Sequence, residues 1–258
     1  MISILAPSKT MDFATELPYD IAATTPLFID DAAKIARTLR RLSRTNIQEK
    51  MKVSAGIATN VHAMYKSWSE AGEKPALWTY VGDVYKGMKA NKLSKEDAAW
   101  AQEHLLTMSG LYGIVRPYDL ISPYRLEMKA VIPIGKRKNI YDFWGKKLGE
   151  YVTARANGIV CDLSSDEYGK PVTAHLPKDV RIIKPVFYDN RPNGKIGRAP
   201  IYNKMMRGVM ARWIVDHRVD TPEGLHKFTG HGYTYSKELS TADSPAFFRE
   251  EMKPLVFD

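Results

Sequence analysis

The feature that most constrains the fold is the order in which hydrophobic patterns follow one another along the chain. Helical spacing of apolar residues dominates up to about residue 108, and most strand-like patterns come later. The predicted strands are residues 1–6, 126–134, 158–163 and 181–187, and the predicted helices are residues 31–43, 57–68, 77–88, 94–108 and 203–217. This order favours a mixed α/β (α+β) fold, with a mixed sheet and flanking helices, over a regular doubly wound sheet. No repeat or Pro/Gly/Ser-rich linker divides the chain, so residues 1–258 are predicted to form a single compact domain.

Local signals define several ends of these elements. Asp30 is a candidate N-cap for the helix at 31–43, and Ser94 is one for the helix at 94–108. The second of these helices should end where Ser109 and Gly110 follow it. Pro185 predicts an edge position or a bulge in the strand at 181–187.

Several classes of protein are disfavoured by composition and motifs. Pro7 interrupts the first apolar run, which has no basic leader, and no segment reaches the roughly 18 apolar residues of a membrane helix. Cys161 is the single cysteine, which excludes an internal disulfide and fits a reducing cytoplasm. Its apolar strand predicts a buried side chain rather than a redox sensor. None of the six histidines forms HxxxH or HExxH, and the glycine-rich nucleotide loops are absent, so we expect no metal and no cofactor.

Positive charge is concentrated in two segments of a chain whose formal net charge is +9. Residues 34–52 hold seven Lys or Arg against Glu49, and residues 191–218 hold seven against Asp216. On the helix at 31–43, four of these cations share one face, namely Lys34, Arg37, Arg41 and Arg44. Such a field attracts polyanions, nucleic acid first and anionic metabolites second. Simple solubility is the alternative explanation.

Residues 106–120 have the outline of a helix-hairpin-helix. A predicted helix runs into Gly110 and Gly113, and a second short helix could begin at Pro117. Glycines in such a hairpin let main-chain N–H groups approach DNA phosphates, with Arg116 and Arg125 as nearby cations. The alternative is a tight turn of purely structural use.

Polar residues also follow two predicted strands. Lys9 comes after the first strand, and Asp166 and Glu167 come after the strand at 158–163. The crevice outside the carboxyl ends of strands is the usual ligand site of α/β sheets. Lys9 could hold a phosphate there, and Asp166 or Glu167 could act as a general base. Turn residues and structural ion pairs explain the same pattern equally well. No histidine in the sequence is placed to activate Ser8 as a nucleophile.

The helix at 203–217 carries a cation in an unusual place. Helical geometry turns Arg212 away from Arg207 and towards the apolar side. A cation at such a position needs a buried partner or a wet cleft. Arg212 is therefore either a site residue or half of a structural ion pair.

A set of short motifs resembles those of the YaaA peroxide-stress family and occurs in the family's order. They are residues 8–12 (SKTMD), 82–87 (GDVYKG), 111–113 (LYG), 116–119 (RPYD), 123–128 (PYRLEM), 143–145 (FWG), 165–168 (SDEY), 183–185 (IKP) and 207–208 (RG). The resemblance implies a cytoplasmic protein of the peroxide-stress response that limits free intracellular iron and DNA damage. It also implies a mixed α/β fold with a basic cleft and a helix-hairpin-helix that bind DNA.

Two functional hypotheses follow. The first is binding of duplex or branched DNA, mainly through phosphates, with no membrane partner. Mapped from the family, the residues expected to bind DNA are Lys9, Gly110, Gly113, Arg116, Arg125, Lys129, Lys184, Arg207 and Arg212. The second is an enzyme acting on a small phosphorylated or nucleotide-like ligand, with Lys9, Asp166 and Glu167 as candidate catalytic residues and with Arg125 and Lys184 completing the pocket.

Overall fold

Within the described residues, the protein is built from two five-stranded β-sheets, two two-stranded β-sheets (Thr10–Met11 with Tyr80–Val81, and Lys74–Pro75 with Leu120–Ile121) and a series of α-helices. The computed structural model describes residues 1–191 and 194–257. The strands are β1 (Ile2–Leu5), β2 (Thr10–Met11), β3 (Lys74–Pro75), β4 (Tyr80–Val81), β5 (Leu105–Ser109), β6 (Gly113–Val115), β7 (Leu120–Ile121), β8 (Ile159–Leu163), β9 (Arg181–Ile183), β10 (Val186–Asn190), β11 (Ile196–Gly197), β12 (Thr229–Gly230), β13 (Tyr233–Thr241) and β14 (Ser244–Arg249). The helices are α1 (Ile29–Arg41), α2 (Arg44–Met51), α3 (Ala55–Ser67), α4 (Ala76–Thr79), α5 (Asp83–Met88), α6 (Lys95–His104), α7 (Ile140–Trp144), α8 (Lys147–Arg155), α9 (Asp166–Thr173), α10 (Pro200–Asp216) and α11 (Pro222–Leu225).

The first sheet is built around β1. Within the described residues its strand order is β6-β5-β1-β8-β9. β1 pairs in parallel with β5 on one side and with β8 on the other, and β9 continues the parallel arrangement. Only the edge strand β6 is antiparallel. All residues of β1 are buried, as expected for a parallel strand covered on both faces.

The second sheet comes from the last third of the chain. Its order in the described residues is β11-β10-β14-β13-β12, with one parallel pair, β10 with β14. The two sheets and the helices share one contiguous cluster of buried apolar side chains. The mixed α/β fold predicted from the sequence is therefore confirmed.

Several predicted elements are found close to their expected bounds. These are β1, α1, α3, β8 and α10. Ser94 caps α6 by accepting a hydrogen bond from the Asp97 N–H, as predicted. Phe28, not Asp30, holds the N-cap position of α1, so Asp30 instead places its charge in the first turn.

The helix-hairpin-helix predicted at residues 106–120 is wrong. α6 ends at His104, and the next five residues form β5, which is buried throughout and pairs in parallel with β1. The chain then turns back as β6, antiparallel to β5, with Ser109 opposite Gly113. The helical spacing of these residues could not predict that they form a strand, because their pairing partner β1 lies about 100 positions away in the chain.

Three other predictions need correction for related reasons. The helix expected at 77–88 is divided into α4, β4 and α5, with Gly82 at the break and Val81 paired with Thr10 of β2. Residues 126–134 are not a strand, although the predicted alternation of buried and exposed side chains is present from 128 to 134. The strand at 181–187 divides next to Pro185, so β9 joins the first sheet as its edge strand and β10 joins the second.

Helix α10 is held close to α5 by a glycine. A methyl group added at Gly208 would lie 1.7 Å from the carbonyl oxygen of Val84. The backbones of α5 and α10 therefore touch at this point, next to Arg207.

Replacing Gly208 with alanine should destabilise the fold, because the added methyl group forces α5 and α10 apart. We expect Gly208→Ala to lower the free energy of unfolding by about 1–3 kcal/mol or more, measured by urea denaturation. Gly56→Ala is the control, since nothing lies within 4 Å of a methyl group there, and it should stabilise the protein by up to about 1 kcal/mol. Equal unfolding curves for the two variants would contradict the close helix contact.

Candidate functional site

The carboxyl ends of four parallel strands meet at one edge of the first sheet. β1, β5, β8 and β9 all point in the same direction. The residues that lie at or just beyond these ends are Ser8 and Lys9 after β1, Ser109 at the end of β5, residues 164–167 after β8, and Lys184 after β9. Parallel pairing thus gathers polar groups from distant parts of the chain at the edge where α/β sheets bind ligands.

Gly110 brings a further segment to this edge. A methyl group on Gly110 would lie 2.3 Å from the carbonyl oxygen of Leu126, so the backbone of Leu126 passes directly over the end of β5. Arg125 and Glu127, on either side of Leu126, are thereby held at the strand ends. Gly110 and Gly113 are themselves buried and do not offer N–H groups to a DNA phosphate.

Glu127 is the carboxylate that two cations share. Its Oε1 lies 3.2 Å from Lys9 Nζ and 3.3 Å from Arg125 Nη2. The side chain of Glu127 is 9% exposed, against 21% for Arg125 and 61% for Lys9. The exposed Lys9 therefore covers the buried Glu127 carboxylate. This ion pair offsets the free-energy cost of removing the Glu127 charge from water.

Two atoms beside this pairing have no partner. Glu127 Oε2 and Arg125 Nε are buried and make no hydrogen bond with any described residue. Both residues line a cleft of ≈ 10 Å³ together with Ser8, Tyr124 and Tyr168. This volume is about that of one water molecule. Buried polar groups are normally paired, so an unpaired acceptor and an unpaired donor on two residues that line one cleft indicate a place for a polar ligand atom.

Protonated tyrosines form the floor of this cleft. Tyr124 Oη lies 2.7 Å from Tyr80 Oη and accepts a hydrogen bond of 2.8 Å from Ser109 Oγ. Burial raises the pKa of the Tyr124 and Tyr168 hydroxyls far above the ordinary value. These hydroxyls therefore keep their protons and act as hydrogen-bonding groups, not as bases.

A second carboxylate, Asp162, lies at the end of β8. It is buried, its Oδ2 is 3.3 Å from Lys184 Nζ, and its Oδ1 accepts a 2.6 Å hydrogen bond from Ser164 Oγ. Burial lowers the pKa of Arg207, while the nearby carboxylates of Asp162 and Asp166 act in the opposite direction. Arg207 from α10 thus faces the acidic end of β8.

We call these six charged residues the strand-end site: Lys9, Arg125, Glu127, Asp162, Lys184 and Arg207. Of the residues predicted from sequence, Lys9 and Arg125 meet at Glu127, and Lys184 pairs with Asp162. Arg207 lies close enough to Asp162 and Asp166 for their charges to raise its pKa against the effect of burial. Tyr168 lines the first half and Gly169 packs against the Asp162 carboxylate, so α9 connects the two halves.

Two further predicted residues form a pair beside the site. Lys129 Nζ lies 3.4 Å from Glu167 Oε2, and the Lys129 N–H donates to Glu167 Oε1 at 3.3 Å. This contact ties the segment after Glu127 to the start of α9. Glu167 is thus engaged by Lys129, whereas Asp166 is exposed.

Arg116 and Arg212 lie elsewhere. β6 is antiparallel to β5 and runs away from the strand ends, so Arg116, which comes directly after β6, lies away from the strand-end site. Arg116 pairs there with the buried Asp119 at 3.1 Å. Arg212 pairs with Asp216 at 2.7 Å and donates to the carbonyl oxygens of Lys89 and Lys92. Arg212 thus takes part in a partly exposed ion pair within α10, and its role in binding DNA stays a prediction.

Sequence analysis missed the two central carboxylates. An aspartate inside the apolar run 159–163 was a usable signal for Asp162, because an acid in a buried strand needs a partner. For Glu127 the alternating pattern of 126–134 was misleading, because in a half-buried strand it places the glutamate on the face opposite Leu126 and Met128. Glu127 is buried because Gly110 draws its backbone onto the sheet.

Comparison with known proteins assigns the chain to a family. A family model described as peroxide stress protein YaaA matches residues 1–239. The chain belongs to this family. Its strand-end site draws on residues 9 to 207, so it lies entirely within the matched region.

Relatives of similar length support the assignment of this YaaA-family chain. A UPF0246 protein of Bordetella petrii is 37% identical over 258 residues, covering 97% of this chain and 100% of the relative. A UPF0246 protein of Aliivibrio fischeri is 38% identical over 261 residues, covering 97% and 99%. One from Cellvibrio japonicus is 38% identical over 260 residues, with the same coverage.

A second basic surface of this YaaA-family protein lies on α1. Lys34, Arg37 and Arg41 line a shallow groove of ≈ 270 Å³ whose other wall includes Ile134, Gly135 and Phe143. We call it the α1 groove. Lys34 pairs with Asp31, but the exposed side chains of Arg37 and Arg41 have no ion-pair or hydrogen-bond partner among the described residues. Residues 136–138 (KRK) follow Gly135, and of these Arg137 pairs with Asp142 at 3.4 Å.

The remaining expectations concern thiol chemistry, metals and membranes. Cys161 is buried as predicted, and burial raises the pKa of its thiol far above the ordinary value, so it is not a reactive thiolate. Across residues 1–191 and 194–257, no group of three or more His, Cys, Asp or Glu side chains is arranged to hold a metal ion. In the same part of the chain, no helix has both the length and the apolar character needed to cross a bilayer.

Proposed function

We propose that the strand-end site binds a small phosphorylated or nucleotide-like ligand, with Glu127 transferring a proton. The observation that carries this proposal is the buried Glu127, whose Oε2 has no partner, beside the equally unpartnered Arg125 Nε. A ligand hydroxyl placed between them satisfies both atoms, because its oxygen accepts from Arg125 Nε–H and its proton is donated to Glu127 Oε2. Their position at the carboxyl ends of parallel strands is the usual one for an α/β ligand site.

The charge balance favours a small anion over a long one. Lys9, Lys129 and Lys184 each have a carboxylate within 3.4 Å, and Arg125 has one at 3.3 Å. Nucleic acid gains affinity when cations replace its condensed counterions, which requires cations that are free to do so. Cations that alternate with carboxylates are instead typical of sites that combine anion binding with acid–base chemistry.

The arrangement gives each residue a role. An incoming phosphate competes with Glu127 for Lys9 and Arg125, and Lys9, the most exposed of the three, is free to move with it. Glu127 then loses its ion pairs while it stays within reach of the ligand, as a general base requires. Lys184 and Arg207 hold a second anionic group of the ligand, with Asp162 and Ser164 orienting Lys184.

Pyrophosphate is a suitable probe. Substitutions of Lys9 and of Glu127, which form one ion pair, should change the affinity for pyrophosphate in opposite directions. We expect Lys9→Ala to weaken pyrophosphate binding several-fold, because one phosphate contact is lost. Glu127→Gln should tighten binding, because the competing carboxylate charge is removed. Isothermal titration calorimetry of the full chain measures both effects.

Lys237→Ala serves as the control, since Lys237 is exposed on β13 of the second sheet. Lys9 is also exposed, so its variant should fold, which a thermal melt checks. Absence of pyrophosphate binding in the unsubstituted protein, or equal affinities for all variants, would rule out this function.

A second proposal is DNA binding through the α1 groove. The observation that favours it is that Arg37 and Arg41 are exposed and unpaired among the described residues, beside the basic segment 136–138. An open, shallow groove of this kind suits a phosphate backbone, which is recognised by charge without base reading. The family resemblance implied DNA binding but mapped it to other residues.

Salt dependence tests this proposal. Contacts with about four to six phosphates give a log–log slope of affinity against salt near −4 to −5, and each lost contact removes about 0.9 from its magnitude. We expect the double variant Arg37→Ala/Arg41→Ala to flatten the slope by about 2 for duplex and branched DNA. Arg125→Ala should leave the slope unchanged. If Arg125→Ala flattens the slope and the double variant leaves it unchanged, DNA binds at the strand-end site instead. A flat slope for the unsubstituted protein would exclude both locations.

We also propose that the protein limits free intracellular iron during peroxide stress, a role supported by membership of the family. Cells lacking the protein should contain more chelatable iron after peroxide treatment, measured by electron paramagnetic resonance. Restoration by Arg37→Ala/Arg41→Ala but not by Glu127→Gln would connect the effect to the strand-end site. No difference between cells with and without the protein would contradict the role.

A further inference from the structure

A larger cavity is lined by a different set of residues from the strand-end cleft, although the two meet where Tyr80 Oη pairs with Tyr124 Oη. It measures ≈ 350 Å³ and is bounded by residues of α4, β4 and α5, by residues 90–92 and by Phe257. We call it the aromatic cavity, after Trp78, Tyr80, Tyr85 and Phe257 in its wall. Protein interiors are packed with few voids larger than a water molecule, and this volume falls in the range of small-molecule sites, about 300–1,000 Å³. The cavity therefore has the size of a binding site.

The hydroxyl groups of its two tyrosines are already engaged. Tyr80 Oη pairs with Tyr124 Oη at 2.7 Å, and Tyr85 Oη donates to the carbonyl oxygen of Ala6 at 3.1 Å. Tyr80 and Tyr85 therefore face a ligand in the cavity with their aromatic rings, not with their hydroxyl groups. Leu77 and Val81 extend the apolar part of the wall. Such a wall fits a flat, apolar group.

One polar group in the wall has no partner. Trp78 is buried, and its Nε1–H makes no hydrogen bond with any described residue. Its ring is fixed by Tyr118, stacked at 6.0 Å, and by Tyr19, edge-on at 6.2 Å. Buried indole N–H groups usually donate to an acceptor. A ligand with an acceptor atom at this position would supply one.

The polar part of the wall is mainly cationic. Lys86, Lys89 and Lys92 line it, against one acid, Asp12. The Asp12 carboxylate is engaged by the N–H groups of Ala14 and Thr15, at 2.8 and 3.1 Å, so it closes its own turn. Lys89 Nζ lies 6.0 Å from the centre of the Phe257 ring. A ligand that enters past these lysines gains from a negative charge.

We propose that the aromatic cavity is a binding site for a planar aromatic anion, an aromatic ring system carrying a carboxylate, sulfonate or phosphate group. The rings of Trp78, Tyr80 and Tyr85 contact the planar part, and the Trp78 N–H donates to an acceptor on it. Lys86 and Lys89 pair with the anionic group. Phe257 completes the wall beside Lys89. This site is independent of the pyrophosphate site proposed at the strand ends.

A matched pair of fluorescent probes tests both the ring and the charge. 8-Anilinonaphthalene-1-sulfonate carries the anionic group, and N-phenyl-1-naphthylamine has the same rings without it. We expect the sulfonate to bind the full chain at one saturable site. Lys86→Gln/Lys89→Gln should weaken the sulfonate tenfold or more and the neutral probe less than twofold. Phe257→Ala should weaken both probes several-fold.

The controls separate this site from non-specific binding and from the strand-end site. Lys237→Ala should leave both probe affinities unchanged, and Lys86→Gln/Lys89→Gln should bind pyrophosphate like the unsubstituted chain. The lysine substitutions are near the surface and keep most of the side-chain length, so folding should be preserved, as a thermal melt verifies. Non-saturable sulfonate binding, or equal loss of both probes in the lysine variant, would overturn the proposal.

Discussion

Parallel pairing of β1 with β5 on one side and β8 on the other is the constraint on which the site depends. β1 is only four residues long and fully buried, yet its two neighbours come from positions about 100 and 160 residues away. Because all three strands point the same way, the loops that follow them open at one edge. Lys9 and Asp162 therefore lie at the same end of the sheet. Gly208 lets α10, which carries Arg207, pack closely against α5.

Burial explains why charged residues are arranged differently at the carboxyl ends of the first sheet and on helix α1. At the strand ends, buried carboxylates lie next to cations, since burying one sign of charge alone would cost several kcal/mol per ion. On α1, water solvates Arg37 and Arg41, so no acid is needed. A net charge of +9 therefore says little about where an anion binds. The cations at the strand ends are paired with carboxylates, whereas Arg37 and Arg41 are exposed on α1.

Prediction from the sequence succeeded for elements whose signal is local. α1, α3 and α10 show helical spacing over three or more turns, and the apolar run of β8 is bounded by turn residues. It failed for β5 and for residues 126–134. The first had helical spacing but pairs with β1, and the second alternates as a strand does but pairs with no long strand. Neither pattern reports the partner that buries the side chains, so neither predicted that all of β5 or that Glu127 would be buried.

The sequence by itself determined the fold class, the family, the buried cysteine and most of the cations that line the candidate site. It did so because composition, periodicity and short motifs are local properties. The tertiary structure decided which carboxylates those cations meet, that Gly110 admits the backbone of Leu126, and that Arg116 and Arg212 lie elsewhere. These outcomes depend on contacts between residues far apart in the chain. Such contacts form only when strands pair and helices pack, and they can override the local preference of a segment for helix or strand.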